Sequence, residues 1–172
     1  MPINKVLFSS ERLNLREIGI DDASWFYKLN QDSEVMQFTG DVSFNSITET
    51  EEFLKSYITC YAKTRMGRWA ISLKSNNEII GWCGLKLHKN GEVDLGFRIF
   101  KHQWGKGYAT EAAKASIEFG FSQLNLRSII ANHQEDNKAS KRVLEKLGFK
   151  QHRSFLENGK KWLGYSLSDL VT

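Results

Sequence analysis

The stretch best suited to chemistry reads HQWGKGYATEA and runs from His102 to Ala112. Two glycines flank Lys106, and small residues and a glutamate follow. A glycine turn that opens a helix aims backbone N–H groups at one point, where the helix N-terminus adds partial positive charge. Gly105 and Gly107 would allow close approach and unusual dihedral angles. The stretch therefore predicts a phosphate-binding turn, and the alternative is a surface loop that only needs flexibility.

Two common nucleotide motifs do not fit this turn. A P-loop requires G-x-x-x-x-G-K-[ST], whereas Lys106 stands between the two glycines. The dinucleotide fingerprint G-x-G-x-x-G/A is matched at two of its three positions, and the next strand, SIIANH, ends in Asn and His without the acidic residue. Both nucleotide-binding folds are therefore disfavoured.

The elements that must position the turn follow from the hydrophobic period. RWAISLK, IIGWCGLKLH and VDLGFRIF alternate in polarity and predict three antiparallel strands joined by SNNE and KNGE. Helical spacing follows from about Tyr108 to Leu124. RSIIANH predicts a buried strand, and DNKASKRVLEKLGF predicts a helix closed by Gly148. Two last strands should join at Asn158 and Gly159.

The first third of the chain predicts one strand and three helices. SSERLNLREI has strand alternation, and Asp21 is expected to cap a helix of about ten residues. DSEVMQFTG predicts a short helix that ends at Gly40, and Thr48 with Glu51 predicts a capping box for a helix to about Met66. The order of elements predicts a single domain of mixed α+β (α/β) class over residues 1–172.

Composition narrows the class of protein. The 172 residues carry a formal net charge of +4, and the charges are scattered, which suits an anionic small molecule and does not require nucleic acid. Only Cys60 and Cys83 are present, so a disulfide framework is not expected and the cytoplasm is the natural compartment. No apolar run is long enough to cross a bilayer, so no membrane partner is expected.

Five stretches, in this order, resemble the GNAT superfamily of N-acetyltransferases, above all the Rim-type enzymes that acetylate ribosomal proteins. They are ERLNLREIGIDDA, IIGWCGL, VDLGFRI, WGKGYATEA and NKASKRVLEKLGF. The resemblance implies a central twisted mixed sheet of about seven strands with helices on both faces, and two strands that splay around the cofactor arm. One departure is His102, where the superfamily often has Gln or Arg.

The resemblance implies acetyl-CoA as acetyl donor and assigns residues to it. Backbone amides of the glycine turn would bind the pyrophosphate, one strand would offer its backbone to the pantetheine arm, and the last helix would begin near the thiol. In that order the residues are Trp104, Gly105, Lys106, Gly107, Tyr108, Ala109 and Thr110; Phe97, Arg98 and Ile99; and Asn137 and Ser140. The alternatives are a helix cap for Asn137 and an ordinary first-turn hydroxyl for Ser140.

Acetyl transfer to an amine needs a base, an oxyanion donor and a leaving thiolate. Asp94 is the candidate base, because relatives carry a catalytic or water-relaying Glu at this strand position; Glu92 is the fallback. The alternative for Asp94 is a solvated strand carboxylate, and its short side chain would act through water. Many members of the superfamily have a Tyr that acts as general acid at the position of Leu144. Its absence leaves Ser140 or water to protonate the thiolate.

The remaining polar residues predict less. Glu111 is explained by a favourable interaction with the helix dipole. His88, His133 and His152 lack metal-ligand spacing, so no metal is expected.

The acceptor amine is left open. A protein N-terminus or a small amine would enter a groove formed by the N-terminal helices and the FLENGKKW hairpin. The leading interpretation is an acetyl-CoA-dependent N-acetyltransferase, active as a monomer or homodimer. The alternatives are a non-catalytic acyl-CoA-binding sensor of the same fold and an NAD-type binding module.

Overall fold

A computed structural model describes residues 5–170 of the chain. The strands are β1 Val6–Ser9, β2 Leu13–Glu17, β3 Gly67–Leu73, β4 Ile79–Leu87, β5 Val93–Ile99, β6 Ser128–Gln134, β7 Lys150–Glu157 and β8 Lys160–Ser168. The helices are α1 Ala23–Leu29, α2 Ser33–Met36, α3 Ile47–Thr64, α4 Tyr108–Gln123 and α5 Lys138–Lys146, and short 3₁₀ turns cover Ile20–Asp22 and Lys101–Gln103.

All eight strands form one sheet, in the order β1-β2-β3-β4-β5-β6-β8-β7. Only the β5–β6 pair is parallel; the other pairs are antiparallel, including the expected β3–β4–β5 meander. The expected mixed α/β class is confirmed, with eight strands where about seven were expected. The additional strand is β1, whose four residues are mostly exposed and therefore carry no clear hydrophobic alternation.

Helices cover both faces of the sheet, and each face has its own core. On one face α4 and α5 pack over Trp69, Ile71 and Leu85. On the other face α1 and α3 pack over Ala70 and Trp82. The alternation of β3 therefore serves two cores, because its odd and even residues point to opposite faces. The buried face of α4 consists mostly of small residues: Ala112, Ala113, Ala115, Ser116, Ile117 and Gly120.

The predicted capping box lies two residues too late. Ser46 is the N-cap of α3, and its Oγ accepts from the Glu49 N–H at 3.0 Å. Glu49 in turn accepts from the Asn45 N–H at 2.7 Å. Thr48 and Glu51 have the same sequence spacing, so the spacing alone could not distinguish the two pairs.

The start of α1 also differs from the prediction. Its N-cap is Asp22, and Asp21 is exposed in the preceding 3₁₀ turn. Asp22 is buried and bonds Arg16 through both carboxylate oxygens at 2.7 Å. The helix therefore begins at Asp22, which is held by the buried Arg16 of β2, and not at the predicted Asp21.

The two predicted turns use glycine in different ways. Asn158 and Gly159 both have positive φ, 50° and 74°, as a two-residue hairpin requires. In the β4–β5 connection Gly91 has φ of +86°, and His88 N–H bonds to the Glu92 carbonyl at 2.8 Å. Gly148 ends α5 with φ of +84°, as expected.

Among residues 5–170, no helix is long and apolar enough to cross a membrane.

Candidate active site

The glycine turn adopts the backbone that its sequence predicts. Gly105 and Gly107 have φ of +75° and +81°, and Gly107 is the N-cap of α4. The Glu111 N–H bonds to the Gly107 carbonyl, so the N–H groups of residues 108–110 come before the helical ladder and point out of the helix end. A Cβ at Gly105 would meet nothing in the described chain within 4 Å. The turn thus presents amides to open space, which fits a phosphate group.

A hydrogen-bonded network centred on Glu111 and Arg12 holds one side of this turn. The Glu111 carboxylate accepts from Ser10 Oγ at 2.7 Å, from the Arg12 N–H at 2.8 Å and from Arg12 Nε at 2.6 Å. Arg12 also donates to the Lys106 carbonyl at 3.1 Å and lies 4.5 Å over the Tyr108 ring. Burial alone would raise the pKa of Glu111, but the hydrogen bonds from Ser10 and Arg12 lower it below its usual range.

Glu111 is therefore more than a dipole partner. It ties the β1–β2 connection to the glycine turn, a role that sequence reasoning missed together with Arg12. Both belong to stretches that carry the family resemblance, ERLNL and YATEA, but nothing in the sequence says that the two meet.

Side chains on the other side of the turn point back into the protein. Trp104 Nε1 donates to the Ile99 carbonyl at 2.8 Å, and Lys106 Nζ donates to Gln103 Oε1 at 2.8 Å. These side chains brace the turn, which leaves its backbone amides to face a ligand.

His102, the residue that departs from the family pattern, joins the same bracing. Its Nε2 lies 2.8 Å from Glu78 Oε1, which also accepts from Gln103 Nε2 at 3.0 Å. Hydrogen bonds from His102 and Gln103 lower the pKa of Glu78. His102 therefore links the turn to the start of β4.

β5 and β6 separate as the family resemblance implies. They pair in parallel at Asp94 and Ile130, and no later pair joins them in the described register. Residues 95–99 and 131–134 consequently line two sides of a gap. Phe97, Arg98 and Ile99 lie on this stretch of β5, between Asp94 and the chain that leads to the glycine turn.

The start of α5 holds the second group of cofactor candidates. Asn137 is the N-cap, and its Oδ1 accepts from the Ser140 N–H at 3.1 Å. The capping alternative is thus realised for the oxygen of this amide, whereas its Nδ2 is left for other partners. Leu144, at the position of the general-acid tyrosine that the family resemblance implies, is buried in the core. Because α5 packs against both α4 and β6, these residues lie on the face of the glycine turn.

The candidate base lies on the opposite face. Val93, Leu95 and Ile99 belong to the core under α4. The alternating residues of β5, Asp94 and Arg98, therefore point toward α1 and α3. The gap between β5 and β6 lies between the two faces and offers a route from the glycine turn to Asp94.

Asp94 is paired with a buried arginine. Its Oδ2 lies 3.0 Å from Arg68 Nη2, and its Oδ1 lies 2.9 Å from His88 Nε2. Burial alone would lower the pKa of Arg68, but the Asp94 carboxylate outweighs burial and raises it. Both oxygens of Asp94 are therefore engaged, and the solvated alternative does not apply because only 16% of its side chain is exposed.

Arg68 reaches Asp94 across two glycines that sequence reasoning did not connect. Arg68 pairs with Gly84 on β4, and Gly84 pairs with Gly96 on β5. A Cβ at Gly96 would lie 2.8 Å from Arg68 Cζ. We call Gly84 and Gly96, which have no side chains and lie in register beside Arg68, the bare row. This row leaves space for the guanidinium over the sheet, where it donates to the Gly84 carbonyl at 2.9 Å.

Glu92, the fallback base, lies in the β4–β5 turn just before β5. Its Oε2 accepts from Asn90 Nδ2 at 2.8 Å, and its N–H donates to Asn90 Oδ1 at 3.0 Å. The structure therefore does not bring Glu92 into the Arg68–Asp94–His88 cluster.

Two cavities that share Asp41 lie in the described chain, and the larger reaches this cluster at Arg68. The larger, of about 460 Å³, lies between α1, α3 and the sheet; it is lined by Phe26, Asn30, Asp41, Val42, Phe44, Phe53, Ser56, Tyr57, Cys60, Thr64, Met66, Gly67, Arg68, Trp82, Lys86, Leu87 and Arg98. The smaller, of about 290 Å³, is lined by Met36, Gln37, Gly40, Asp41, Gln134, Glu157, Asn158, Lys160 and Trp162. The smaller cavity joins the N-terminal segment to the β7–β8 hairpin, the two regions expected to form an acceptor groove.

Three tryptophans near the cavities divide between the core and the cavity walls. Trp69 is fully buried, whereas Trp82 and Trp162 each line a cavity. Within residues 5–170, no group of three or more His, Cys, Asp or Glu side chains is arranged to hold a metal ion.

A family model and a relative of known sequence both indicate an acetyltransferase domain. The family model of the acetyltransferase (GNAT) domain matches residues 12–150. The uncharacterized N-acetyltransferase p20 of Bacillus licheniformis is 29% identical over 144 residues, which are 83% of this chain and 81% of that protein.

Two solved structures share the fold. RimL, a ribosomal L7/L12 α-N-protein acetyltransferase in complex with coenzyme A, superposes with a TM-score of 0.82 at 17% identity, over 95% of this chain and 98% of its own. Spermidine N-acetyltransferase from Vibrio cholerae, in complex with CoA and spermine, has a TM-score of 0.79 at 20% identity, over 91% and 95%. With its family match over most of the length, the chain belongs to the GNAT acetyltransferase family.

Proposed function

We propose that the protein transfers the acetyl group of acetyl-CoA to a primary amine. The observation that carries this proposal is the glycine turn at the start of α4, whose open amides lie on the face from which the β5–β6 gap leads to Asp94. Two proteins of the same fold, one acting on L7/L12 and one on spermidine, have coenzyme A bound in their structures.

In this proposal the cofactor is held mainly by backbone. The amides of residues 104–110 bind the pyrophosphate, with the helix end adding positive charge. The backbone of residues 97–99 pairs with the pantetheine arm as an added strand would. Asn137 Nδ2 and Ser140 lie toward the thiol end, because α5 begins beside the end of β6.

The amine approaches from the face of α1 and α3. Asp94 takes its proton through a bridging water, since both carboxylate oxygens are already engaged. The amine nitrogen then bonds to the acetyl carbon, and a backbone N–H of β5 stabilises the oxyanion. The C–S bond breaks as the attacking nitrogen gives up its second proton, and Ser140 or water relays that proton to the thiolate, which is a fair leaving group because a thiol titrates at about 8.5.

The proposed setting is the cytoplasm, where the free thiols of Cys60 and Cys83 remain reduced. The acceptor is either a protein N-terminus or a small-molecule amine.

Gly107→Val tests the cofactor site. A valine at φ of +81° is strained, so the turn should leave the conformation in which its amides converge; the Cβ itself would lie 3.5 Å from Arg12 Nη2, an ordinary contact distance. Each hydrogen bond from an amide to a charged acceptor contributes about 1.5–3 kcal/mol, so losing two should weaken acetyl-CoA binding at least about 100-fold in calorimetry.

Gly91→Val is the matched control for that variant. Gly91 has φ of +86°, its Cβ position meets nothing described within 4 Å, and it lies at the opposite end of β5. This control should keep wild-type affinity for acetyl-CoA. An unchanged affinity in Gly107→Val would refute the assignment of the turn.

Thiol release with a panel of amines tests catalysis. Acetyl-CoA, ribosomal peptides, polyamines and amino acids are incubated with the enzyme, and free CoA thiol and acetylated products are measured. Amine-dependent release supports the transferase. Tight acetyl-CoA binding with no release from any amine would instead favour the acyl-CoA-binding sensor.

A further inference from the structure

The larger cavity combines aromatic walls with buried positive charge. Arg68 and Arg98 line it, with side chains only 12% and 10% exposed. Both guanidinium groups lie against the ring of Trp82, at 5.3 Å and 5.1 Å from its centre. A pocket of this volume, with apolar walls and a few convergent polar groups, has the character of a small-molecule site.

The two arginines differ in how their charge is compensated. Arg68 is held by Asp94, which is itself largely buried on β5. Arg98 Nη2 is held at 2.6 Å by Asp41, whose side chain is 62% exposed. Asp41 lies in the segment between α2 and α3, where no helix or strand fixes the chain. Arg98 Nη1 is also bonded to the buried Asn30 Oδ1, so Asp41 on Nη2 is the partner of Arg98 that is more easily exchanged.

Hydrogen-bond donors beside this exchangeable partner are unsatisfied. In the described chain, Arg98 Nε and Trp82 Nε1 are buried and have no hydrogen-bond partner. Nε and Nη2 form the side edge of a guanidinium, which accommodates both oxygens of one carboxylate. Asp41 occupies only Nη2 on this edge. A second oxygen acceptor at Nε would complete it.

The charges that line the cavity favour the same ligand. Its cations are Arg68, Arg98 and Lys86, and its acid is Asp41, with Asp94 adjoining through Arg68. The cavity also reaches β5 itself, because Arg98 of that strand lines it. A ligand anchored on Arg98 therefore lies close to the strand that the proposed acetyl transfer uses.

We infer that the acceptor is a carboxylated primary amine with an aromatic or large apolar body. Its carboxylate replaces Asp41 on the side edge of Arg98, its body packs against Phe26, Phe44 and Tyr57, and its amine points toward Asp94. This inference rests on the proposed acetyltransferase function and adds the class of acceptor to it.

The first test compares phenylalanine with phenylalaninamide as acceptors for the wild-type enzyme. They differ only in the carboxylate, and the amide's amine is at least as easily deprotonated, so intrinsic reactivity does not favour the acid. We expect kcat/KM for phenylalanine to be at least about tenfold higher, mainly through KM, as a charge-assisted hydrogen bond predicts.

Variants locate the effect. Arg98→Met should bring the ratio of the two kcat/KM values to about one, whereas Arg127→Met, at an exposed arginine outside both cavities, should leave it unchanged. Asp41→Asn removes the competing carboxylate and should lower KM for phenylalanine. Circular dichroism checks that each variant is folded, and the wild-type ratio remains decisive if one is not.

The outcomes separate this inference from the proposed function. Equal or better acetylation of phenylalaninamide, spermidine or a peptide would overturn the carboxylate anchor and leave the acetyltransferase intact. Failure of every amine to release thiol would overturn both.

Discussion

At the scale of single residues, the proposed mechanism depends on the cluster around Asp94. Arg68 compensates the Asp94 charge, and His88 occupies one of its oxygens. A carboxylate held in this way has no free oxygen for direct contact with the amine, so in the proposed mechanism it orients a water that carries the proton. We therefore propose that Asp94 acts on the amine through a bridging water and not by direct contact.

Asp94→Asn should lower kcat/KM most at low pH. A base assists most where the amine is still protonated, and an α-amine titrates at about 8. We expect a deficit of about 100-fold at pH 6 that shrinks toward pH 9, measured as thiol release across that range.

Glu92→Gln is the matched control for that pH profile, because it removes a carboxylate two residues away that is bonded to Asn90. Its rate should follow wild type at each pH. A constant ratio of Asp94→Asn to wild type across the range would show a structural role for Asp94. A pH-dependent deficit in Glu92→Gln would transfer the base role to Glu92.

At the scale of elements, three neighbouring strands create a position for one side chain. Gly84 and Gly96 stand in register beside Arg68, so its side chain crosses β4 and reaches β5 without obstruction. At Gly84 the constraint comes from backbone, since a Cβ would lie 2.0 Å from the Gly67 carbonyl oxygen. At Gly96 it comes from Arg68 itself.

Gly96→Ala should therefore displace Arg68 from Asp94. The new Cβ would lie 2.8 Å from Arg68 Cζ and 2.9 Å from both Nη atoms, so the buried ion pair must shift. We expect the free energy of unfolding to fall by about 1–3 kcal/mol in urea titrations, with a marked loss of thiol-release activity.

Gly19→Ala serves as the control for that variant. Its Cβ would meet nothing described within 4 Å, and its φ of −110° suits alanine. Its stability should stay within about 0.5 kcal/mol of wild type. If Gly96→Ala behaved in the same way, the bare row would not be what positions Arg68.

At the scale of the whole molecule, the sheet separates two cores, and Arg16 with Asp22 joins its second strand to the helices of one face. Asp22 also accepts from Trp25 Nε1 at 2.6 Å and from the Gly19 N–H at 2.8 Å. Burial alone would raise the pKa of Asp22, but the hydrogen bonds from Arg16, Trp25 and Gly19 outweigh it and lower the pKa.

This depressed pKa makes stability depend on pH in a defined direction. The stabilisation is complete above the unfolded value, near 3.8, and is lost as pH falls through the lower folded value. Asp22→Asn should cost about 3–5 kcal/mol in urea unfolding at pH 7, because it leaves Arg16 buried without its charge partner. The deficit should narrow below pH 3.8.

Asp21→Asn, at the exposed neighbour, provides the comparison for Asp22→Asn. It should leave the urea midpoint close to wild type at both pH values. Equal effects of the two substitutions would mean that the ion pair with Arg16 does not anchor the helices.

The sequence by itself determined the local features of this protein. The glycine turn before α4, the end of α5 at Gly148 and the strand periods of the meander depend on neighbouring residues, so short stretches specify them. Where local signals were weak or duplicated, prediction failed: β1 is short and exposed, and two capping boxes overlap before α3.

Only the tertiary structure decided which distant residues meet. Asp94 could be named from its strand, but its pairing with Arg68 depends on the register of three strands, and the link from Arg12 to Glu111 joins residues 99 positions apart. It also placed Asp94 and the glycine turn on opposite faces, connected by a gap. Strand register and chain crossing arise from packing of the whole sheet, which no short stretch of sequence encodes.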